Sequence, residues 1–243
     1  MPLSNELTTA IERDGFAIVR DVVDTAAVSI LLHALDTLPD SDGVRRRGGE
    51  KSSVYAIRNL LDVVPQVQEL ATSRNIRSLV ESVLGPACFP VRGILFDKTP
   101  EANWKVAWHQ DVMIAVRDRI EVEGFGSWSQ KAGVTHVQPP VQVLQNMLTV
   151  RLHLDDCDTH NGPLQVIPGS HANGRLDARD VAQWRERAAA VSCLVPSGGA
   201  LLMRPLLLHA SSASRTPRHR RVVHLEFAAE PLPGGLKWQT QAN

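Results

Sequence analysis

The stretch Met147-Leu148-Thr149-Val150-Arg151-Leu152-His153-Leu154-Asp155 decides the architecture. On an extended chain Leu148, Val150, Leu152 and Leu154 fall on one face and Thr149, Arg151, His153 and Asp155 on the other, because successive side chains of a strand point to opposite faces. The leucine face reads as core. A polar row that includes arginine, on a strand this apolar elsewhere, points to a functional cavity; a solvated face gives the same alternation. Outward from this strand, further strands are expected over 15–19, 88–98, 105–112, 164–167, 191–195, 200–209 and 222–228. Turns at Asn161-Gly162-Pro163, Pro168-Gly169-Ser170-His171 and Ser197-Gly198-Gly199 separate them.

Helices gather in the first third. Ser4 or Asn5 caps a helix through Glu12, and Asp24 caps another over 25–38 that Pro39 stops. Two more are expected over 59–70 and 73–84, the latter ended by Gly85-Pro86, and one over 177–190. Many short strands without alternating helices imply a mainly-β fold with flanking helices, a sandwich or jelly roll. No repeat or linker is visible. The 243 residues read as a single domain, helices within 1–86 packing on a β core over 87–230.

Composition excludes several classes. Basic and acidic residues balance at 26 each, which argues against nucleic-acid binding driven by bulk charge. Cys88, Cys157 and Cys193 are odd in number and widely spaced, so neither a disulfide framework nor a zinc site is expected. There is no leader-like start and no apolar run long enough for a bilayer. The chain therefore reads as soluble and cytoplasmic, with a small molecule as its expected partner and no nucleic acid or membrane. Its oligomeric state is not legible.

The chemistry centres on Trp108-His109-Gln110-Asp111. On an extended segment His109 and Asp111 share a face, and an imidazole beside a carboxylate supplies two thirds of a facial metal triad. Two histidines and a carboxylate leave three octahedral positions open, the arrangement of non-haem Fe(II) oxygenases. His209, at the end of Leu206-Leu207-Leu208, is the best third ligand. His153-Leu154-Asp155 spells the same triplet and competes, and His136, His160, His171, His219 and His224 are further single histidines that composition cannot rank.

Two segments read as loops. Residues 39–53, with Arg45-Arg46-Arg47, read as a mobile, solvated loop. Residues 115–142, with Gly124, Phe125, Gly126, Trp128 and Pro139-Pro140, read as a long irregular insertion. Directly after two candidate ligands, it is either a substrate lid or a surface insertion.

Taken together, Asp14-Gly15-Phe16, Trp108-His109-Gln110-Asp111, the run from Asn161-Gly162-Pro163-Leu164 to Ile167-Pro168-Gly169-Ser170-His171, His209-Ala210-Ser211 and Arg220 resemble the phytanoyl-CoA dioxygenase family of Fe(II)- and 2-oxoglutarate-dependent oxygenases. The resemblance covers nearly the whole chain and implies a double-stranded β-helix, a jelly roll with iron near one end. It favours His109 and Asp111 over His153 and Asp155, because the family's metal triplet precedes the core strand. It implies Fe(II) on His109, Asp111 and His209, with no catalytic residue beyond these ligands, and O2 and 2-oxoglutarate as cosubstrates. The far carboxylate of 2-oxoglutarate is expected on Arg220, eleven residues after His209, with Arg221 as rival, and a planar guanidinium fork suits a carboxylate. Ser211, Arg151 and, one pleat away, Thr149 are the other expected cosubstrate contacts. Retention of Asp111 argues against halogenation, where relatives carry a small residue. The expected activity is hydroxylation of a small molecule. Desaturation, epimerisation or ring formation on the same iron is the alternative, as is a non-catalytic ligand-sensing jelly roll. Ser214, where some relatives carry Asn, and the 115–142 segment leave the substrate open.

Overall fold

The computed structural model describes residues 2–41, 43–47 and 53–240. The first helix, α1 (Pro2–Asp14), turns at Gly15, whose φ of 83° a side chain would strain, into β1 (Phe16–Val19). Helix α2 (Thr25–Asp36) begins where the Asp24 carboxylate accepts the Ala27 N–H at 2.8 Å, a cap worth about 1 kcal/mol. Strands β2 (Val44–Arg47) and β3 (Ser53–Ile57) follow. They correct the reading of 39–53 as a loop: Arg45 and Arg46 belong to a strand paired with β3, while 48–52 lie outside the described residues.

The single helix expected over 59–70 is two, α3 (Leu60–Val63) and α4 (Pro65–Thr72). Pro65 has no N–H and holds Val64 extended at φ −127°, ψ 93°. Helix α5 (Arg74–Leu84) ends at Gly85. Strands β4 (Phe89–Asp97), β5 (Val106–His109) and β6 (Ile114–Val116) come next, then β7 (Gly126–Lys131), β8 (Val134–Gln138) and the short α6 (Val141–Gln145). The core strand is β9 (Met147–His153), followed by β10 (Leu164–Val166), α7 (Ala178–Arg187) and β11 (Val191–Cys193). The strand expected over 200–209 is likewise broken. It forms β12 (Ala200–Met203) and β13 (His209–Ser211), with Pro205 and the fully buried Leu206-Leu207-Leu208 carrying the chain from one sheet to the other. The last strand is β14 (Arg221–Ala228).

A seven-stranded antiparallel sheet, β1-β12-β9-β14-β4-β3-β2, faces a four-stranded one, β11-β10-β13-β5. This is the double-stranded β-helix arrangement. The alternation read in 147–155 sorts the two faces of the larger sheet. Leu148, Val150 and Leu152, with Val223, Leu225 and Phe227 of β14, pack on Leu31, Leu60, Val67, Ile76 and Val80 of the helices. Thr149, Arg151 and His153 are buried on the opposite face. Residues 115–142 are irregular only in part, chiefly over 117–125. They contribute to a third sheet, β6-β8-β7, with its own core of Ile114, Val116, Phe125, Val137 and Trp238. Half-buried Trp128 packs against that core.

Gly93 on β4 lets α3 sit flat on the large sheet: a Cβ there would lie 2.9 Å from Leu61 Cγ and 3.2 Å from Leu61 N. Backbone cannot yield as a side chain can, so Gly93→Ala should destabilise the fold by about 1–3 kcal/mol. Urea unfolding followed by far-UV circular dichroism checks this, and an unchanged midpoint would refute it.

Candidate metal centre and its cavity

His109 ends β5 and His209 opens β13, and the two residues stand opposite one another in the ladder between those strands. Their ring centroids are 4.2 Å apart. Each Nδ1 lies 2.8 Å from a carbonyl two residues upstream, Ala107 O for His109 and Leu207 O for His209. A carbonyl only accepts, so each Nδ1 carries the hydrogen and each Nε2 presents a lone pair. Both Nε2 atoms turn to Asp111, each 3.7 Å from one of its carboxylate oxygens. Asp111 is past the end of β5, not on it as the extended reading assumed. Its N–H bonds Pro205 O at 2.9 Å. Gln110 brackets the corner between the two residues. Its amide nitrogen donates to Leu206 O and Gly174 O, and its oxygen accepts the Leu176 N–H.

The three ligand atoms lie within 4.8 Å of one another, the sole such cluster of metal-binding side chains among the described residues. Asp111 Oδ2 is buried without a hydrogen-bond partner, which fits a site that takes a cation. Burial depresses His209 to about 4, so its ring is neutral at ordinary pH, as a metal ligand must be. The competing triplet is not assembled this way. His153 is buried in β9, and Asp155 accepts a two-pronged ion pair from Arg221, Nε at 2.9 Å and Nη2 at 2.7 Å.

The cluster opens into a cavity of about 360 Å3 between the sheets. Arg220 and Ser211 line it, as does Arg151; Arg221 and Thr149 do not. Arg220 is 4% exposed, gives Nη1 to Gly162 O, and keeps Nε buried without a partner. Its backbone N–H is held by Asp97 Oδ1 at 2.9 Å. Ser211 Oγ accepts from Lys98 Nζ at 3.1 Å, and Lys98 also donates to Ser212 O. Lys98 is fully buried, and burial together with the nearby Arg220 pulls it down to about 7. Arg151 gives Nη1 to His224 Nδ1 at 2.8 Å and also keeps an unpartnered Nε. Burial, then the charge of Arg220, lowers its pKa. Thr149 is buried one pleat from Arg151 with an unpartnered hydroxyl.

Sequence reasoning missed several lining groups. His224 and Glu226 alternate inward on β14, a period-two signal present in 222–228 but masked by its apolar neighbours. Arg92, Arg58 and His136 arrive from β4, from the turn before α3 and from β8. No local pattern marks them, since only the tertiary fold brings them together.

Fold and site together define a non-haem iron oxygenase of the double-stranded β-helix class. Residues 11–222 match the family model for phytanoyl-CoA dioxygenase, and the chain belongs to that family. Ectoine dioxygenase of Sphingopyxis alaskensis is 22% identical over 94% of this chain and 76% of its own. The crystal structure of that species' EctD with 2-oxoglutarate and 5-hydroxyectoine has a TM-score of 0.72, with 22% identity over 94% of this chain and 77% of that one. The α-ketoglutarate-dependent carbocyclase SnoK of nogalamycin biosynthesis has a TM-score of 0.69 at 16% identity, over 92% of this chain and 83% of its own. No helix among the described residues is long and apolar enough to cross a membrane.

His136 generates a pH prediction. It is 2% exposed, and burial lowers its pKa from 6.5 to about 4. Between these values the unfolded chain binds a proton that the folded chain refuses, so this histidine's contribution to stability is complete above about pH 6.5 and declines as pH falls towards 4. His136→Leu should flatten the loss of stability across that window. Urea midpoints at intervals from pH 7 to 4 measure it; parallel profiles for the two proteins would refute it.

Proposed function

We propose that the protein is an Fe(II)- and 2-oxoglutarate-dependent dioxygenase that hydroxylates a small molecule, with the whole chain forming one oxygenase domain. Iron is held by His109 Nε2, Asp111 and His209 Nε2, and 2-oxoglutarate by Arg220 with Ser211, Arg151 and Lys98 around it. One observation carries the reading: the converging ligand atoms of His109, Asp111 and His209 share a cavity with the buried, partly unpartnered guanidinium of Arg220. When bound, iron and 2-oxoglutarate activate O2 and oxidise the substrate, releasing succinate and CO2. The chain supplies position and environment. Asp111 brings the one anionic ligand, the tethered imidazoles fix the coordination directions, and Arg220 orients the cosubstrate through a charge-assisted fork. The cavity volume is within the usual range for small-molecule sites, about 300–1,000 Å3.

A second outcome on the same centre is favoured by the neighbours themselves: a carbocyclase and an epimerase, the latter at a TM-score of 0.66, share this fold. Succinate formation across a metabolite panel, with product masses, separates the readings. Hydroxylation adds one oxygen to the substrate, and epimerisation leaves its mass unchanged. A ligand-sensing jelly roll would bind without succinate.

His109→Ala, Asp111→Ala and His209→Ala should each abolish succinate formation and lower Fe(II) stoichiometry from near one per chain. Metal analysis after desalting reads this, and full activity in any of the three would move the centre elsewhere. Arg220→Ala should weaken 2-oxoglutarate binding by about 2–5 kcal/mol. Arg221→Ala should instead lose stability through its ion pair with Asp155. Anaerobic titration of both variants with 2-oxoglutarate decides, since a larger affinity loss in Arg221→Ala would reverse the assignment.

A further inference from the structure

At the end of the cavity where the third sheet meets β4 stand three groups with no part in holding iron: Arg58, Arg92 and His136. All three line the main cavity and also the shallow pocket adjoining it. Arg58 is half-buried, and its guanidinium has no carboxylate or carbonyl partner among the described residues. Asp62, across the shallow pocket, feels only its own burial, with no charge contributed by Arg58. Burial first, then the like charges of Arg92 and Arg45, lower the pKa of Arg58, with Tyr55 acting in the opposite sense. Two guanidiniums in mutual range, one of them unpaired, form an arrangement that an anion stabilises and water only partly screens.

Arg92 is half-satisfied. Its Nη1 donates to Glu226 Oε1 at 3.1 Å. Glu226 also faces His224 Nε2 at 3.3 Å, and Arg151 donates to His224 Nδ1. An arginine only donates, so Nδ1 accepts and Nε2 carries the hydrogen given to Glu226. This row consumes the negative charge of Glu226 internally. Asp111 is committed to the metal cluster. The cavity lining therefore holds Arg58, Arg92, Arg151, Arg220 and Lys131 against Glu226 and Asp111. With a divalent metal and the doubly charged cosubstrate in place, the excess stays positive, and at this end Arg58 and the exposed Lys131 have no ion pair among the described residues.

His136 adds a second demand. Its Nδ1 lies 3.0 Å from Val134 O, so Nδ1–H donates there and Nε2 presents a lone pair. That Nε2 is buried without a partner. A buried orphan acceptor at a cavity wall selects a hydrogen-bond donor on the ligand, because leaving it unmet costs about 1–3 kcal/mol. Of the apolar lining, Ile94 stands nearest this end in the chain, two residues after Arg92 on the same strand.

We propose that Arg58, Arg92 and His136 form the substrate-recognition end of the cavity. The substrate they select carries an anionic oxygen group, carboxylate or phosphate, close to a hydroxyl or amine donor. This rests on the dioxygenase reading above. Arg58 binds the anion with its free fork, Arg92 shares it from the Glu226 side, and His136 Nε2 accepts from the donor.

The test is isothermal titration of the protein loaded with Fe(II) and 2-oxoglutarate, without oxygen. The probes are glycerate, propionate, glyceramide and inorganic phosphate. Saturable one-site binding is expected for glycerate or phosphate. The neutral glyceramide should bind about tenfold more weakly than glycerate, as should glycerate to Arg58→Gln, the loss expected for one charge-assisted hydrogen bond. Arg58→Lys, which keeps the charge and loses the fork, should fall between. The preference for glycerate over propionate should vanish in His136→Leu. Whichever of glycerate and phosphate binds more tightly names the anion. Absence of saturable anion binding to the loaded protein overturns the proposal, as does equal affinity in Arg58→Gln, equal binding of glyceramide or a retained preference in His136→Leu. Failure of the protein to take up iron and 2-oxoglutarate at all, read in separate titrations beforehand, overturns the reading beneath it instead.

Discussion

Two imidazoles held 4.2 Å apart are the constraint on which the structure turns. Their Nε2 lone pairs and the Asp111 carboxylate converge, and groups rich in electron density do not converge unless a scaffold forces them. Three devices do so. The β5–β13 ladder sets His109 opposite His209, each Nδ1–H is tied to the carbonyl two residues back, and Gln110 pins the corner leading to Asp111. All three devices are made by the chain itself, and they set the tautomer and direction of both imidazoles. The buried leucines 206–208 serve the same end. They carry the chain between sheets and lead into His209 at the start of β13.

Around this centre the inner face of the larger sheet and the chain at its strand ends carry buried cations. Arg151, Arg220 and Lys98 are buried within range of one another; burial is the first cause of the lowered pKa of each, and like charge adds to it at Arg151 and Lys98. A core built only for stability would place apolar residues there. The apolar face of the same strands, packed on the helices, supplies the offsetting burial. The two faces of β9 and β14 thus divide the labour. One stabilises the molecule, and the other buries charged groups whose hydrogen bonds the chain meets only in part.

That division is why much of the architecture was legible in the sequence. The period-two pattern of 147–155 carries both faces, and His209 at the end of an apolar run is placed where the ladder puts it. Spacing in the sequence favours Arg220 over Arg221; in space Arg220 lines the cavity, while Arg221 pairs with Asp155. Legibility failed where tertiary context overrode local composition. Residues 115–142 carry the glycines and prolines of a loop, yet β7 and β8 pair with β6 over a core that includes the distant Trp238. Arg45 and Arg46 read as solvated charge, yet their backbone joins the large sheet. Pro65 and Pro205 broke elements whose side-chain pattern ran straight through them. Lys98 and Arg58 carried no signal and His136 stood unranked among the single histidines, since a single cation or imidazole acquires meaning only from what folds against it.

The cavity also explains how one fold serves different reactions. Its metal end is built from the four-stranded sheet and the corner at 110–111, elements bound into the jelly roll by ladders and buried bonds. Its other end is built from the turn before α3, from β4 and from β8 of the added sheet. Side chains at this second end can change without disturbing the ligand ladder, because no hydrogen bond among the described residues ties Arg58 or His136 Nε2 to the metal centre. Oxidative chemistry at such a centre is decided by which substrate bond is brought to the metal. A carbocyclase, an epimerase and a dioxygenase on one scaffold are then what physical reasoning expects, and differences among them should concentrate in residues that hold substrate rather than in those that hold metal.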